Sequence, residues 1–283
     1  MLIGRRILTL FLSLSLVCGA TARAWAQTVA VDLHLVLAVD VSWSMDPDEQ
    51  RLQRDGYVDA FRDPAVVKAI QSGPAGRIAV TYFEWAGAEI QFLVVPWTII
   101  DGPRGARQLS DTLAERHIGR HRMTSISSAL EYSHRLLRDA PGIAARRVVD
   151  ISGDGPNNSG TSPVTRARDV LLADGVIING LPIMLKAGSE GGLGYGFGQD
   201  IADLDDYYSN CVTGGPGSFV IAIRKREEFA TATRQKLLQE ISWLPIPRVM
   251  RAQFAPPLPA PGQGSYDCLV GERNWRRYFL DGR

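Results

Sequence analysis

LVLAVDVSWSMD, residues 35–46, begins as an apolar, strand-forming run and ends in oxygen-bearing side chains. Asp40, Ser42 and Ser44 alternate with Val41 and Trp43. Alternate side chains of an extended segment fall on opposite sides, so the carboxylate and both hydroxyls share one side. Upstream, residues 31–39 are nearly all aliphatic, the pattern of a strand buried on both faces of a parallel sheet. A buried strand that runs out into three hard donors marks the rim of a sheet as the place to look for chemistry.

The remaining punctuation predicts alternating strands and helices. Asp46, Pro47, Asp48 and Glu49 open a helix that runs to about residue 61, and a further turn covers 66–71. Residues 77–85 and 89–97 are strands separated only by Ala86, Gly87 and Ala88, which makes them an antiparallel hairpin, with Pro96 suited to an edge. Helices are predicted over 105–117, 124–139, 163–173 and 227–241, with a short one at 203–210. Strands are predicted at 147–152, 176–184 and 218–223. The expected fold is α/β: a doubly wound, mostly parallel six-stranded sheet with one antiparallel edge strand and helices on both faces. In such sheets the functional crevice lies beyond the carboxyl ends of the parallel strands. That rule puts Asp40, after the first strand, and Asp154, after the fourth, on one rim.

At 283 residues and 45% hydrophobic, the chain is long enough for a sizeable core. Its formal charge of +1 gives no basic surplus for nucleic acid. Residues 1–26 read as a secretory signal peptide: Arg5 and Arg6, an apolar run over 7–17, then Ala24, Trp25 and Ala26 before Gln27. The run is too short for a membrane span. A lipoprotein signal at Cys18 and an uncleaved anchor are the rival readings. Removal of 1–26 takes away three arginines and no acid, which turns +1 into −2 and leaves no predicted span. The expected organisation is a signal peptide at 1–26, one domain over 27–243 and a Pro-rich tail over 244–283, in a periplasmic or secreted protein. Cys211 and Cys268 then remain. They are either a disulfide that ties tail to domain or two separate buried thiols.

Three stretches carry the chemistry: DVSWS at 40–44, MTSISSAL at 123–130 and ISGDGPNN at 151–158. Taken singly, each has a structural reading. Asp40 suits a turn, Thr124 a helix cap and Asp154 with Gly155 a turn. Taken together, they resemble the von Willebrand factor type A domain with its metal-ion-dependent adhesion site. The chain also resembles a group of exported bacterial proteins built on that core, through CVTGGPGSFV at 211–220. The resemblance implies a metal set of Asp40, Ser42, Ser44, Thr124 and Asp154, with the hydroxyls ligating directly and the carboxylates acting largely through water. Hard oxygen donors suit Mg²⁺, or alternatively Mn²⁺ or Ca²⁺. The resemblance further implies an exported, divalent-metal-dependent protein-binding module. Its partner is a protein or peptide whose acidic side chain completes the metal shell.

Two positions depart from the resembled pattern. Trp43 replaces a small residue between the serines. It narrows access, offers an apolar contact beside the ion, or packs on a neighbouring loop. Gly153 stands where a Thr is usual, at the expected cost of one hydrogen bond behind the site. Trp43, Asn157 and Asn158 are the candidate partner contacts. The glycine-rich segment 188–200 is either a partner-selecting loop or an ordinary one. A metal-dependent hydrolase and a structural or assembly protein of the envelope are the alternatives. Against an enzyme, there is no Gly-x-Ser-x-Gly elbow, and no HExxH surrounds His117 and His121. His117, His121 and His134 are expected on solvated helical surfaces.

Overall fold

The computed structural model describes residues 29–185, 201–242 and 266–279. The predicted signal peptide, the glycine-rich 188–200 segment and the Pro-rich stretch 245–261 lie outside the described residues. Among the described residues no helix is long and apolar enough to cross a membrane.

Five strands form one sheet: β1 (Ala30–Asp40), β2 (Ile78–Trp85), β3 (Gln91–Ile100), β4 (Ile143–Gly153) and β5 (Ile177–Pro182). Their order is β3-β2-β1-β4-β5. Only β2 with β3 is antiparallel, so the hairpin supplies the edge that the sequence predicted. The helices are α1 (Pro47–Arg62), α2 (Pro64–Gln71), α3 (Pro103–Glu115), α4 (Ile126–Arg138), α5 (Val164–Ala173), α6 (Leu204–Tyr207) and α7 (Phe229–Ile241). A π-helical turn, Tyr208–Val212, continues α6. One more helix, α8 (Val270–Phe279), lies in the stretch read from sequence as tail.

Alternation along β1 builds both halves of the core. Leu33, Leu35, Leu37 and Val39 point to one face and pack with Tyr57, Val58 and Phe61 of α1, Leu109 and Leu113 of α3, and Leu237 and Ile241 of α7. Val36 and Ala38 point to the other, against Ile126 and Leu130 of α4, Val164 and Leu171 of α5, and Tyr207, Tyr208 and Val212. Leu33, Leu35 and Leu37 are fully buried, which contributes about 1.5–3 kcal/mol each. The helix after the rim starts on a capping box. Asp46 accepts from the N–H of Asp48 and of Glu49, both at 2.8 Å, while Glu49 Oε2 accepts from the Asp46 N–H at 2.9 Å.

The sixth strand predicted at 218–223 is not a full member of the sheet. The segment runs beside β5 and makes only isolated bridges, Gly180 with Val220 and Ile183 with Ile223. Gly180 exchanges bonds with Phe219 and Ile221, and Ile223 donates to the Pro182 carbonyl. The next donor a continuous ladder needs is the N–H of residue 182. Pro182 has none, and the ladder breaks there.

Candidate metal centre

The sheet register sets the site. Asp40 closes β1 opposite Trp85, and Val39 pairs with Ser152, which leaves Gly153 and Asp154 beside Asp40 at the carboxyl ends of two neighbouring parallel strands. Ser42 donates its N–H to Asp40 Oδ1 at 2.7 Å. The Ser42 and Ser44 hydroxyl oxygens are 2.8 Å apart, and the Ser44 hydroxyl donates to Asp154 Oδ1 at 2.5 Å. Four of the five predicted ligands are therefore joined in one chain of hydrogen bonds. Asp40 and Ser42 are buried at 0% and 1% exposure, whereas Ser44 is only half-buried and opens the site to the surface.

Thr124 comes to the same rim on the loop before α4. Its N–H donates to Asn158 Oδ1 at 2.8 Å, and the Asn158 N–H returns a bond to the Thr124 carbonyl at 2.8 Å. Ser125, not Thr124, caps α4 by accepting from the Ser128 N–H. Among the described residues no hydrogen bond ties up the Thr124 hydroxyl. Met123, just before it, has a φ of 69°, which is uncommon for a residue with a side chain.

The donor set fits a hard divalent cation. Asp40 Oδ2 is buried with no hydrogen-bond partner. Burial first, and Asp154 second, hold the Asp40 carboxyl well above the usual carboxylate range, against the pull of the Ser42 N–H. Two carboxylates drawn together in a largely buried site, one with an unpartnered oxygen, are what a bound cation offsets. Among the described residues no three His, Cys, Asp or Glu side chains cluster, so the donors here are hydroxyls and two acids, not a histidine or thiol cage.

Other expectations change in detail. Asn157 and Asn158, the predicted partner contacts, are 1% and 6% exposed, and their side chains bond within the rim: Asn158 Oδ1 accepts from the Thr124 N–H and Asn157 Nδ2 donates to the Ser159 carbonyl. Asn157 Oδ1 accepts from the Ser127 N–H at 2.9 Å. Trp43 both packs and remains open. Its ring nitrogen donates to the Arg120 carbonyl at 3.3 Å, yet the residue is 40% exposed. Gly153 has a steric cause. A Cβ there would stand 2.8 Å from Asp40 Oδ2 and 3.0 Å from the Tyr208 hydroxyl. Tyr208, brought in by the π-helical turn, crowds the place that Cβ would take. His117 and His121 lie in the loop after α3, not on a helix, because α3 ends at Glu115. Cys211 and Cys268 form a disulfide.

Sequence reading missed Arg120 and Arg122, which flank the Trp43 ring, and Glu272 of α8, which accepts from Asn157 Nδ2 at 2.7 Å. The run of basic residues at 116–122 was a visible signal for the first two. For Glu272 there was none.

This arrangement of sheet and helices recurs in solved structures of low identity. A von Willebrand factor type A protein from Catenulispora acidiphila matches with a TM-score of 0.51 at 13% identity, over 75% of this chain and 43% of that one. The pilus adhesin SpaC from Lactobacillus rhamnosus GG matches at 0.52 and 11%, over 75% and 31%. Proximal thread matrix protein 1 from the mussel byssus, with a zinc-occupied MIDAS motif, matches at 0.51 and 13%, over 75% and 46%. The chain spans less than half the length of each of these chains. The likeness establishes the von Willebrand A fold. No curated protein matches the chain. A family model does match it over residues 30–245, the whole sheet and the helices through α7, and on that match the chain belongs to the family described as "Protein of unknown function (DUF1194)".

Proposed function

We propose that this chain is an exported, divalent-cation-dependent binding module of adhesion type, which recognises an acidic side chain on a partner protein or peptide. The observation that carries the reading is the chain of hydrogen bonds from Asp40 through the Ser42 N–H, the Ser42 and Ser44 hydroxyls and on to Asp154, at 2.5–2.8 Å, beside an unpartnered Asp40 oxygen. Ser42, Ser44 and Thr124 supply neutral donors to the cation, and Asp40 and Asp154 supply charge. Mg²⁺ is the assigned ion, with Mn²⁺ and Ca²⁺ as alternatives. A cation held by so few carboxylates stays electrophilic and offers a coordination position to an outside acid. The reading assigns the chain no reaction. It takes residues 1–26 as a signal peptide, 27–243 as the domain and 244–283 as a tail fastened to it, in a periplasmic or secreted protein. The Cys211–Cys268 disulfide suits an oxidising compartment.

Thermal unfolding with Mg²⁺, Mn²⁺, Ca²⁺ or chelator tests the cation. An ion at about 100 times its Kd adds about 2.7 kcal/mol. That is a rise in Tm of several degrees for a domain of this size. The rise should vanish in Ser42→Ala/Ser44→Ala. Equal melting of both proteins in every ion would sink the reading. Hydrolytic turnover lost in both Asp40→Ala and Asp154→Ala would replace it with an enzyme.

A further inference from the structure

RHIGRHR, residues 116–122, links α3 to α4 and holds five Arg or His side chains in seven positions. Its backbone is fixed from beneath. The His121 N–H donates to the Val41 carbonyl at 3.1 Å. The Gly119 N–H donates to Glu84 Oε2 at 3.4 Å, and Arg54 Nη1 donates to the carbonyls of Leu113 and Arg116 at 2.7 and 3.1 Å. The side chains of Arg116, Arg120 and Arg122 are left outside, exposed. Two of them meet Trp43, the residue between the two metal-site serines. The Arg122 guanidinium is 4.5 Å from the ring centroid and that of Arg120 is 6.0 Å. Arg120 Nη2 also donates to the Trp43 carbonyl at 3.0 Å, and the indole N–H returns a bond to the Arg120 carbonyl. Loop and tryptophan therefore brace each other.

Among the described residues none of these three arginines has a carboxylate partner. The nearby acid Asp46 is already paired with Arg226, at 2.6 Å. The Trp43 side of the rim thus carries unneutralised positive charge on a fixed aromatic platform. Guanidinium groups held over an indole face keep their outward N–H donors free for carboxylate oxygens.

We propose that Trp43, Arg120 and Arg122 form a second recognition point, which selects partner segments with further Asp or Glu beside the carboxylate that reaches the cation. This rests on the cation-dependent reading above and names its partner class: an acidic protein segment, read at two points. The patch is too small, and the chain's formal charge of +1 too low, for the extended basic surface that tracks a nucleic acid backbone.

The probes are two fluorescein-labelled twelve-residue peptides, each with one central Asp, flanked by Glu in one and by Gln in the other. Binding to the full chain is read by anisotropy, in Mg²⁺ and in chelator. The Glu-flanked peptide should bind wild type in Mg²⁺ about five- to tenfold tighter. Arg122→Gln should reduce that preference and Arg120→Gln/Arg122→Gln abolish it, whereas Arg107→Gln, at an exposed position of α3, should keep it. The Mg²⁺-induced rise in Tm is read on every variant, so loss of the cation site is told apart from loss of the flank. Equal binding of the two peptides to wild type, or a preference that survives the double substitution, overturns the proposal and leaves the cation reading standing. So does binding of neither peptide. Glu-peptide binding that persists in chelator and in Ser42→Ala/Ser44→Ala overturns the two-point scheme, because the patch then acts alone. Equal competition by a single-stranded oligonucleotide overturns the assigned partner class.

Discussion

Glu272 accepts a hydrogen bond of 2.7 Å from the Asn157 side-chain amide, across 115 residues of sequence. The same Asn157 side chain accepts from the Ser127 N–H in the first turn of α4. At Gly271 there is no room for a Cβ against the Asn157 carbonyl. Helix α8 therefore presses on the loop that carries Asp154, and that loop holds the start of α4 behind Thr124. The Cys211–Cys268 disulfide fastens α8 in place, next to the π-helical turn that brings Tyr208 to Asp40.

Cutting that fastening should be felt twice. The bridge joins cysteines 57 residues apart. Closing a loop of that length removes about 4 kcal/mol of chain entropy from the unfolded state. Cys211→Ser/Cys268→Ser should lose about 2–4 kcal/mol in urea unfolding and bind Mg²⁺ more weakly by calorimetry. A loss below about 1 kcal/mol with unchanged Mg²⁺ affinity would show that the noncovalent contacts of α8 suffice.

A pH dependence comes from the other face of the sheet. Lys236 is fully buried between Asp150 at 2.6 Å and Glu240 at 2.5 Å. Burial first, and Asp150 second, push the Glu240 carboxyl up to about 7. Its folded pKa lies above its unfolded one, so the native state binds this proton more tightly. The stability gained is complete below the ordinary value of 4.5 and is lost as pH rises through about 7. Glu240→Gln should therefore gain on wild type as urea unfolding is repeated from about pH 5 to about pH 8. A constant difference between the two proteins would contradict the raised pKa.

Arg54 and Glu84 form an ion pair with each side chain 4% exposed. Arg54 also holds the carbonyls of Leu113 and Arg116. Arg54→Met leaves Glu84 charged, buried and unpaired, at an expected cost of about 3–5 kcal/mol. Adding Glu84→Leu should return much of that loss, since an apolar pair needs no compensation. If the double variant is no more stable than the single, the cost lies in the carbonyl bonds.

The Tyr208 hydroxyl is buried without a hydrogen-bond partner. Tyr208→Phe should thus be neutral or stabilising by up to about 1 kcal/mol in chelator. Gly153→Ala should destabilise, because its Cβ meets both Asp40 and Tyr208. A clear loss of stability in Tyr208→Phe would mean that the hydroxyl reaches Asp40 through water.

Much of this was legible in the sequence because it is local. The nearly all-aliphatic run over 31–39 marked β1 as a strand buried on both faces, and the short link at 86–88 marked the hairpin. Asp40, Ser42 and Ser44 are neighbours, and the position of Asp154 followed from the strand-end rule. What escaped depends on residues far apart in the chain. Pro182 reads as an ordinary strand residue until the missing N–H is set against a specific partner. Asn157 and Asn158 look like exposed turn residues, since turn composition carries no sign of their burial. Lys236 sits in a helix whose other residues are mixed, and nothing local marks it as the counter-ion of Asp150. Tyr208 and Gly153 explain each other only in three dimensions.

The pairing of β1 with β4 joins residue 30 to 143 and residue 39 to 152. Pairing the middle of the sheet therefore requires a long loop to be ordered, a topology that slows folding. Asp40 stands on one side of that closure and Asp154 on the other. A half-folded chain has the serines but not the second acid, and so has no competent cation site. Stopped-flow refolding should then show cation uptake only with the final phase, which makes the ion a reporter of the finished molecule rather than a seed for its assembly.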